Sequence, residues 1–251
     1  MIDLLPAGID PLGAIILIVL SSLTSALSAS VGIGGGVTLL AAMTFVVPVE
    51  ALVPVHGVVQ MGSNIGRAAL LAKDVALRLI VPFTAGAVVG AIIGGMLVTD
   101  LPEHVLLLII GLFVVITTWV KLPPLGRGER GILAGGGLLA TILTMFVGAT
   151  GPFVMMLMRQ AGLSHAALVA TTAMGMTVQH GLKISAFATL GFDFIPWLPM
   201  MAAMIVAGFI GTFLGAKLMK RLPEASLKLA LKVVLTLIGV QLVLRALSDL
   251  V

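Results

Sequence analysis

The stretch GAVVGAIIGGMLVTDLPE at residues 86–103 returns as AGFIGTFLGAKLMKRLPE at residues 207–224. The two align without a gap at an offset of 121 (211 − 90), setting Gly90 on Gly211, Gly94 on Gly215 and Leu101-Pro102-Glu103 on Leu222-Pro223-Glu224. Upstream the offset falls to 116 (148 − 32), which pairs Gly32 with Gly148 and Arg67 with Lys183. Extra residues near Phe187–Pro196 absorb the difference. A repeat of this length is a duplication of half the chain.

Charge gives the two halves opposite directions. In the first half the loop around Lys73 and Arg78 is basic, and the next, 99–104, carries Asp100 and Glu103 without Lys or Arg. In the second half the loop at 191–195 carries only Asp193, and the next holds Lys217, Lys220, Arg221 and Lys228. Cationic loops stay on the cytoplasmic side of a membrane, so corresponding loops of the two halves fall on opposite sides. Arg67, Lys73, Arg78, Lys121, Arg127, Arg130, Arg159, Lys217, Lys220, Arg221, Lys228 and Lys232 are read as inside. Asp3, Asp10, Glu50, Asp100, Glu103, Asp193 and Asp249 are read as outside, with both termini.

Composition requires the membrane. The chain is 60% apolar and 10% charged, with a mean hydropathy of +1.25; soluble domains carry about a quarter charged residues. The hydrophobic segments are 11–30, 37–47, 51–71, 78–98 and 104–120, then 131–147, 152–160, 164–188, 196–219 and 226–247. Two of them, 37–47 and 152–160, are too short for a hydrocarbon core about 30 Å thick. The expected fold is all-α and transmembrane, two inverted-topology repeats of about five segments each, eight to ten helices in all, two of them short or broken at glycine motifs. Residues 1–121 form the first repeat, 122–130 a cytoplasmic linker and 131–251 the second, together one transport domain. The N-terminus has no Lys or Arg before residue 12, so 12–27 reads as a retained helix and not a secretory signal.

Inverted repeats with a broken helix in each half are the architecture of secondary transporters, because two similar units in opposite orientation can exchange conformations. The third segment of each half carries the chemistry. His56, Gln60, Asn64 and Arg67 share one helix face, and Thr172, Gln179, His180 and Lys183 recur on the matching one. An ionisable group there costs about 2.5–3.5 kcal/mol or more unless it meets a cavity or partner. Neither helix offers a carboxylate within its apolar stretch, so Arg67 and Lys183 point to an anionic ligand, with Gln60, Asn64, Gln179 and His180 orienting its oxygens. Snorkelling to the interface is the competing reading for the two cations. The histidines are read either as packed polar groups or as sites of proton coupling, His56 and His180 both being candidates.

The breaks Gly32-Ile33-Gly34-Gly35-Gly36 and Gly148-Ala149-Thr150-Gly151 are the second candidate. An interrupted helix exposes backbone N–H groups, tolerated at membrane depth only inside protein or a cavity, and such groups attract anions. Gly34, Gly35, Gly36, Thr150 and Gly151 are therefore expected at the ligand, with tight helix packing as the alternative use of the glycines. The run Gly86, Gly90, Gly94 and its counterpart Gly211, Gly215 are assigned to packing.

Other chemistries find no support. The glycine run follows no strand, so it is no dinucleotide loop, and metalloprotease, serine-hydrolase and phosphate-loop motifs do not occur. The chain has no cysteine. Its basic residues lie at helix ends, which argues against nucleic acid. No catalytic residue, metal site or cofactor is expected, and the chain is not read as an enzyme.

With its two homologous halves, Ser30-Val31-Gly32-Ile33-Gly34-Gly35-Gly36 after the first helix, and a second glycine turn at Gly148–Pro152 before a polar helix, the chain resembles the sulfite exporter TauE/SafE family of bacterial membrane proteins over nearly its whole length. The resemblance implies export of small sulfur-containing or organic oxoanions such as sulfite or sulfoacetate across the bacterial inner membrane. Alternating access is the expected mechanism and an anion channel the alternative. Partners expected are the small anionic substrate, the lipid bilayer and, as a homodimer, a second copy.

Overall fold

The computed structural model describes residues 5–6, 8–31, 34–98, 102–120, 130–218 and 224–248. The expectations resting on Asp3, Gly32, Asp100, Lys121, Arg127, the linker up to residue 129, Lys220, Arg221 and Asp249 lie outside the described residues.

All regular structure among the described residues is helical: α1 (Pro11–Val31), α2 (Gly35–Met43), α3 (Val49–Leu70), α4 (Leu77–Val98), α5 (Glu103–Trp119), α6 (Arg130–Val147), α7 (Gly151–Arg159), α8 (His165–Thr189), α9 (Leu198–Leu218) and α10 (Glu224–Ser248). The ten hydrophobic segments correspond to these in order. Boundaries moved where capping chemistry decides them. α7 begins at Gly151 because Pro152 fits its first turn, where a missing N–H costs nothing. α8 begins after Ser164, whose hydroxyl accepts from the Ala167 N–H at 3.3 Å.

Among the described residues, four helical stretches are long and apolar enough to cross a membrane: Pro11–Ala29, Leu77–Val98, Arg130–Val147 and Ile195–Leu214. α3 and α8 have the length, at 22 and 25 residues, and are too polar to face lipid. They pack on each other and bury their polar stripes. α2 and α7 have nine residues each, a rise of about 14 Å, about half a bilayer core.

The most extensive pairings are α4 on α6, α1 on α9, α5 on α10 and α3 on α8. By the sequence duplication α1 corresponds to α6 and α4 to α9, so the first two pairings are counterparts, and each half supplies a helix to the other. The details repeat. A β-carbon at Gly90 would strike the Leu138 carbonyl, and one at Gly211 the Ser22 carbonyl; Ser22 and Leu138 are equivalent at the 116 offset (138 − 22). Ser25 and Ser63 Oγ atoms lie 3.2 Å apart, and their counterparts Thr141 and Gln179 are bonded at 3.5 Å.

Apolar contacts gather into two clusters. One joins Leu17, Leu40, Leu52, Ile110 and Met204 from α1, α2, α3, α5 and α9. The other joins Phe83, Leu133, Leu157 and Met176 from α4, α6, α7 and α8. The polar faces of α3 and α8 meet between them.

Candidate functional site

Each glycine break reverses the backbone through a left-handed residue, Gly34 at φ +100° and Gly148 at φ +77°, where a side chain would be strained. α2 then starts without a side-chain cap, its Thr38 N–H and hydroxyl both donating to the Gly34 carbonyl at 2.9 Å. α7 also lacks a side-chain cap, and its Val154 N–H donates to the Thr150 carbonyl at 3.1 Å. The positive ends of two half-length helices thus come to one place.

That place is a cavity of about 40 Å³ bounded by Gly34 and Gly36, by Gly151 and Pro152, and by the polar faces of α3 and α8. It has room for about three waters. Among the described residues, no Asp or Glu lines it. Along α3 the polar side chains form a chain: His56 Nε2 donates to the Gly36 carbonyl at 2.9 Å, Gln60 Nε2 lies 3.2 Å from the same ring atom, and Asn64 Nδ2 donates to the Gln60 carbonyl at 2.7 Å. Arg67 then donates to Asn64 Oδ1 at 2.8 Å, leaving its Nε without a partner. The His180 ring stands edge-on to His56, centroids 6.2 Å apart.

Among the described residues, seven buried side-chain polar atoms have no partner within the protein, and five belong to residues lining this cavity: His56 Nδ1, Arg67 Nε, Thr172 Oγ1 and both nitrogens of His180. Buried polar groups are nearly always paired. Arg67 Nε, Thr172 Oγ1 and one nitrogen of a neutral His180 are the donors this space offers an oxoanion, whereas His56 Nδ1, the ring proton being held on Nε2, is an acceptor.

The sequence candidates divide into two groups. Arg67, Gln60, Asn64, His56, His180, Gly34, Gly36 and Gly151 line the cavity. Gly35, Thr150, Gln179 and Lys183 stand behind it. A β-carbon at Gly35 would strike the Thr24 carbonyl on α1, so Gly35 allows helix contact. Thr150 donates to Gln179 Oε1 at 3.0 Å, tying the second break to α8. Lys183 is fully buried and donates to the Gly148 carbonyl at 3.1 Å. Ser28 and Thr172 also line the cavity and were not singled out as binding residues; Thr172 was marked by its pairing with His56 (172 − 56 = 116). Ser28 had no comparable signal.

The family model described as Sulfite exporter TauE/SafE matches residues 17–242. The chain is 29% identical over 183 residues to the probable inner membrane transporter protein TsaS of Comamonas testosteroni, covering 68% of this chain and 73% of that one. No solved structure matches.

Proposed function

The chain belongs to the sulfite exporter TauE/SafE family of membrane transporters, and on that premise we propose that it exports a small sulfur-containing or organic oxoanion, such as sulfite or sulfoacetate, by alternating access. The observation that carries this reading is the cavity itself: acid-free, faced by Arg67, Thr172 and His180 with unpartnered polar atoms, and met by the N-termini of α2 and α7. Room for about three waters is room for the oxygens of one small oxoanion. Asn64 is engaged at both ends, so its part is to aim Arg67.

We read the halves, residues 1–121 and 131–251, as inverted repeats. The counterpart pairings of α1 with α9 and α4 with α6 support this, as do the matched glycine–carbonyl approaches. Cations at Lys73, Arg78, Arg130 and Arg159 support a cytoplasmic side for those ends by the positive-inside rule. The bacterial inner membrane is then the location, with both termini outside, consistent with the name of the relative.

The test is flux of sulfite, sulfoacetate, sulfate and small carboxylates through proteoliposomes of the full chain, with Arg67→Ala and Lys183→Ala alongside. A flux confined to oxoanions and lost in Arg67→Ala is expected. Absence of any such flux in the unaltered protein, or normal flux in both variants, defeats the reading.

A further inference from the structure

The two duplicated cations do different things in this conformation. Arg67 lines the cavity; Lys183 does not, though its side chain is fully buried and has no carboxylate partner among the described residues. Its ammonium rests on the carbonyl of Gly148, one residue beyond the C-terminus of α6. The partial negative charge of a helix end holds it there with one of its three donors. The fit is close: a β-carbon on Gly57 would lie 2.7 Å from Lys183 Cε.

The contacts Gly57–Lys183 and Ala76–Thr171 run α3 and α8 antiparallel. Lys183 therefore lies level with Gly57, beside His56, and Arg67 stands ten residues further along α3 (67 − 57), about 15 Å away at the other end of the polar stripe. The Arg67 end borders the cavity, and the Lys183 end is closely packed. A buried ammonium partnered by a helix end is costly, so an oxoanion reaching it offers a stronger partner than the Gly148 carbonyl.

We infer that Lys183 is a second anion station, used in alternation with Arg67: when the far side opens, Lys183 leaves the Gly148 carbonyl and takes the anion that Arg67 has held. This rests on the transporter reading and adds to it that the cations act in turn. His180, with both ring nitrogens unpartnered, lies one turn from Lys183 on the same helix face and spans the two stations.

The chain has no cysteine, so one introduced at Ile184, beside Gly57, reports far-side opening through a membrane-impermeant thiol reagent. Inside-out and right-side-out vesicles give the two faces separately, with sulfoacetate as probe. In Lys183→Met, the apparent affinity from the far side is expected to fall by about tenfold or more, the loss of one charge-assisted bond, with near-side affinity retained. Arg67→Met should do the reverse. Gly57→Ala keeps the charge and crowds its resting place, so labelling at position 184 should rise without any substrate. Equal losses on both faces in Lys183→Met, or unchanged labelling in Gly57→Ala, overturn the inference. A wild-type protein that carries no oxoanion defeats the transport reading instead, and the labelling shift is read independently of it.

Discussion

The ring of His180 stands edge-on to that of His56 at 6.2 Å, and three of the four ring nitrogens have no partner within the protein. The fourth, His56 Nε2, donates to the Gly36 carbonyl. The charged groups facing the pair are Arg67 and Lys183, and among the described residues no carboxylate lines the cavity. A proton added to either ring raises the positive charge, which a bound anion offsets. Proton binding and anion binding then favour each other, a reciprocal coupling. If either ring takes up its proton together with the anion, the Michaelis constant for sulfoacetate is expected to fall as pH drops from about 8 to about 5.5. Sulfoacetate is the suitable probe because sulfite itself takes up a proton near neutrality. A flat profile in the wild type removes both histidines from coupling; a slope that persists in His180→Asn removes His180.

Arg67 is expected to act through shape as well as charge. Its guanidinium reaches Asn64 Oδ1 at 2.8 Å and keeps Nε unpartnered in a residue that lines the cavity, a division of donors that an ammonium does not reproduce. Arg67→Gln should lower kcat/KM for sulfoacetate by about 10–100-fold, the scale of about 1.5–3 kcal/mol for a hydrogen bond to a charged group. Arg67→Lys should fall between that and wild type. Initial rates of proteoliposome uptake measure this, and a Lys variant indistinguishable from wild type would leave only the charge at work.

Helix packing makes a separate prediction about stability. At Gly211 a β-carbon would strike the Ser22 carbonyl, whereas at Gly135 on α6 it would meet nothing within 4 Å. Gly211→Ala should destabilise by about 1–3 kcal/mol through overpacking. Gly135→Ala should stabilise by up to about 1 kcal/mol from helix propensity. Opposite shifts of the melting temperature in detergent are the expected result, and shifts of the same sign would contradict the close α1–α9 approach.

These residues also mark what sequence could reveal. The duplication and the hydropathy pattern gave the helices, because lipid leaves the backbone few options and each segment declares itself by length. The polar stripe of α3 was legible for the same reason: His56, Gln60, Asn64 and Arg67 are conspicuous in an apolar chain, and all four line the cavity. Periodicity places a residue on a face but does not say what the neighbouring helix offers there. Lys183 and Arg67 are equivalent in sequence, yet one meets the end of α6 and the other meets Asn64. Gly35 and Gly36 are adjacent, and one faces α1 while the other faces Gln60. Such differences arise between elements, where a one-dimensional pattern carries little information.

Thr150 and Thr172 separate the two kinds of polar residue most sharply. Thr150 is fully buried and gives its hydroxyl to Gln179 Oε1, away from the cavity. Thr172 lines the cavity, and its hydroxyl has no partner within the protein. Thr150→Val leaves the Gln179 oxygen unpaired in the interior, a cost of about 1–3 kcal/mol. Its melting temperature should fall while the Michaelis constant for sulfoacetate stays within about twofold, since uniform binding is untouched. Thr172→Val deprives nothing in the protein of a partner, so its stability should hold while the Michaelis constant rises about five- to tenfold, the worth of about 1 kcal/mol for one neutral hydrogen bond. The pair is informative because the substitution is the same in both. If Thr150→Val instead raised the Michaelis constant with an unchanged melting temperature, the hydroxyl would belong to the anion and the Gln179 contact would be secondary to it.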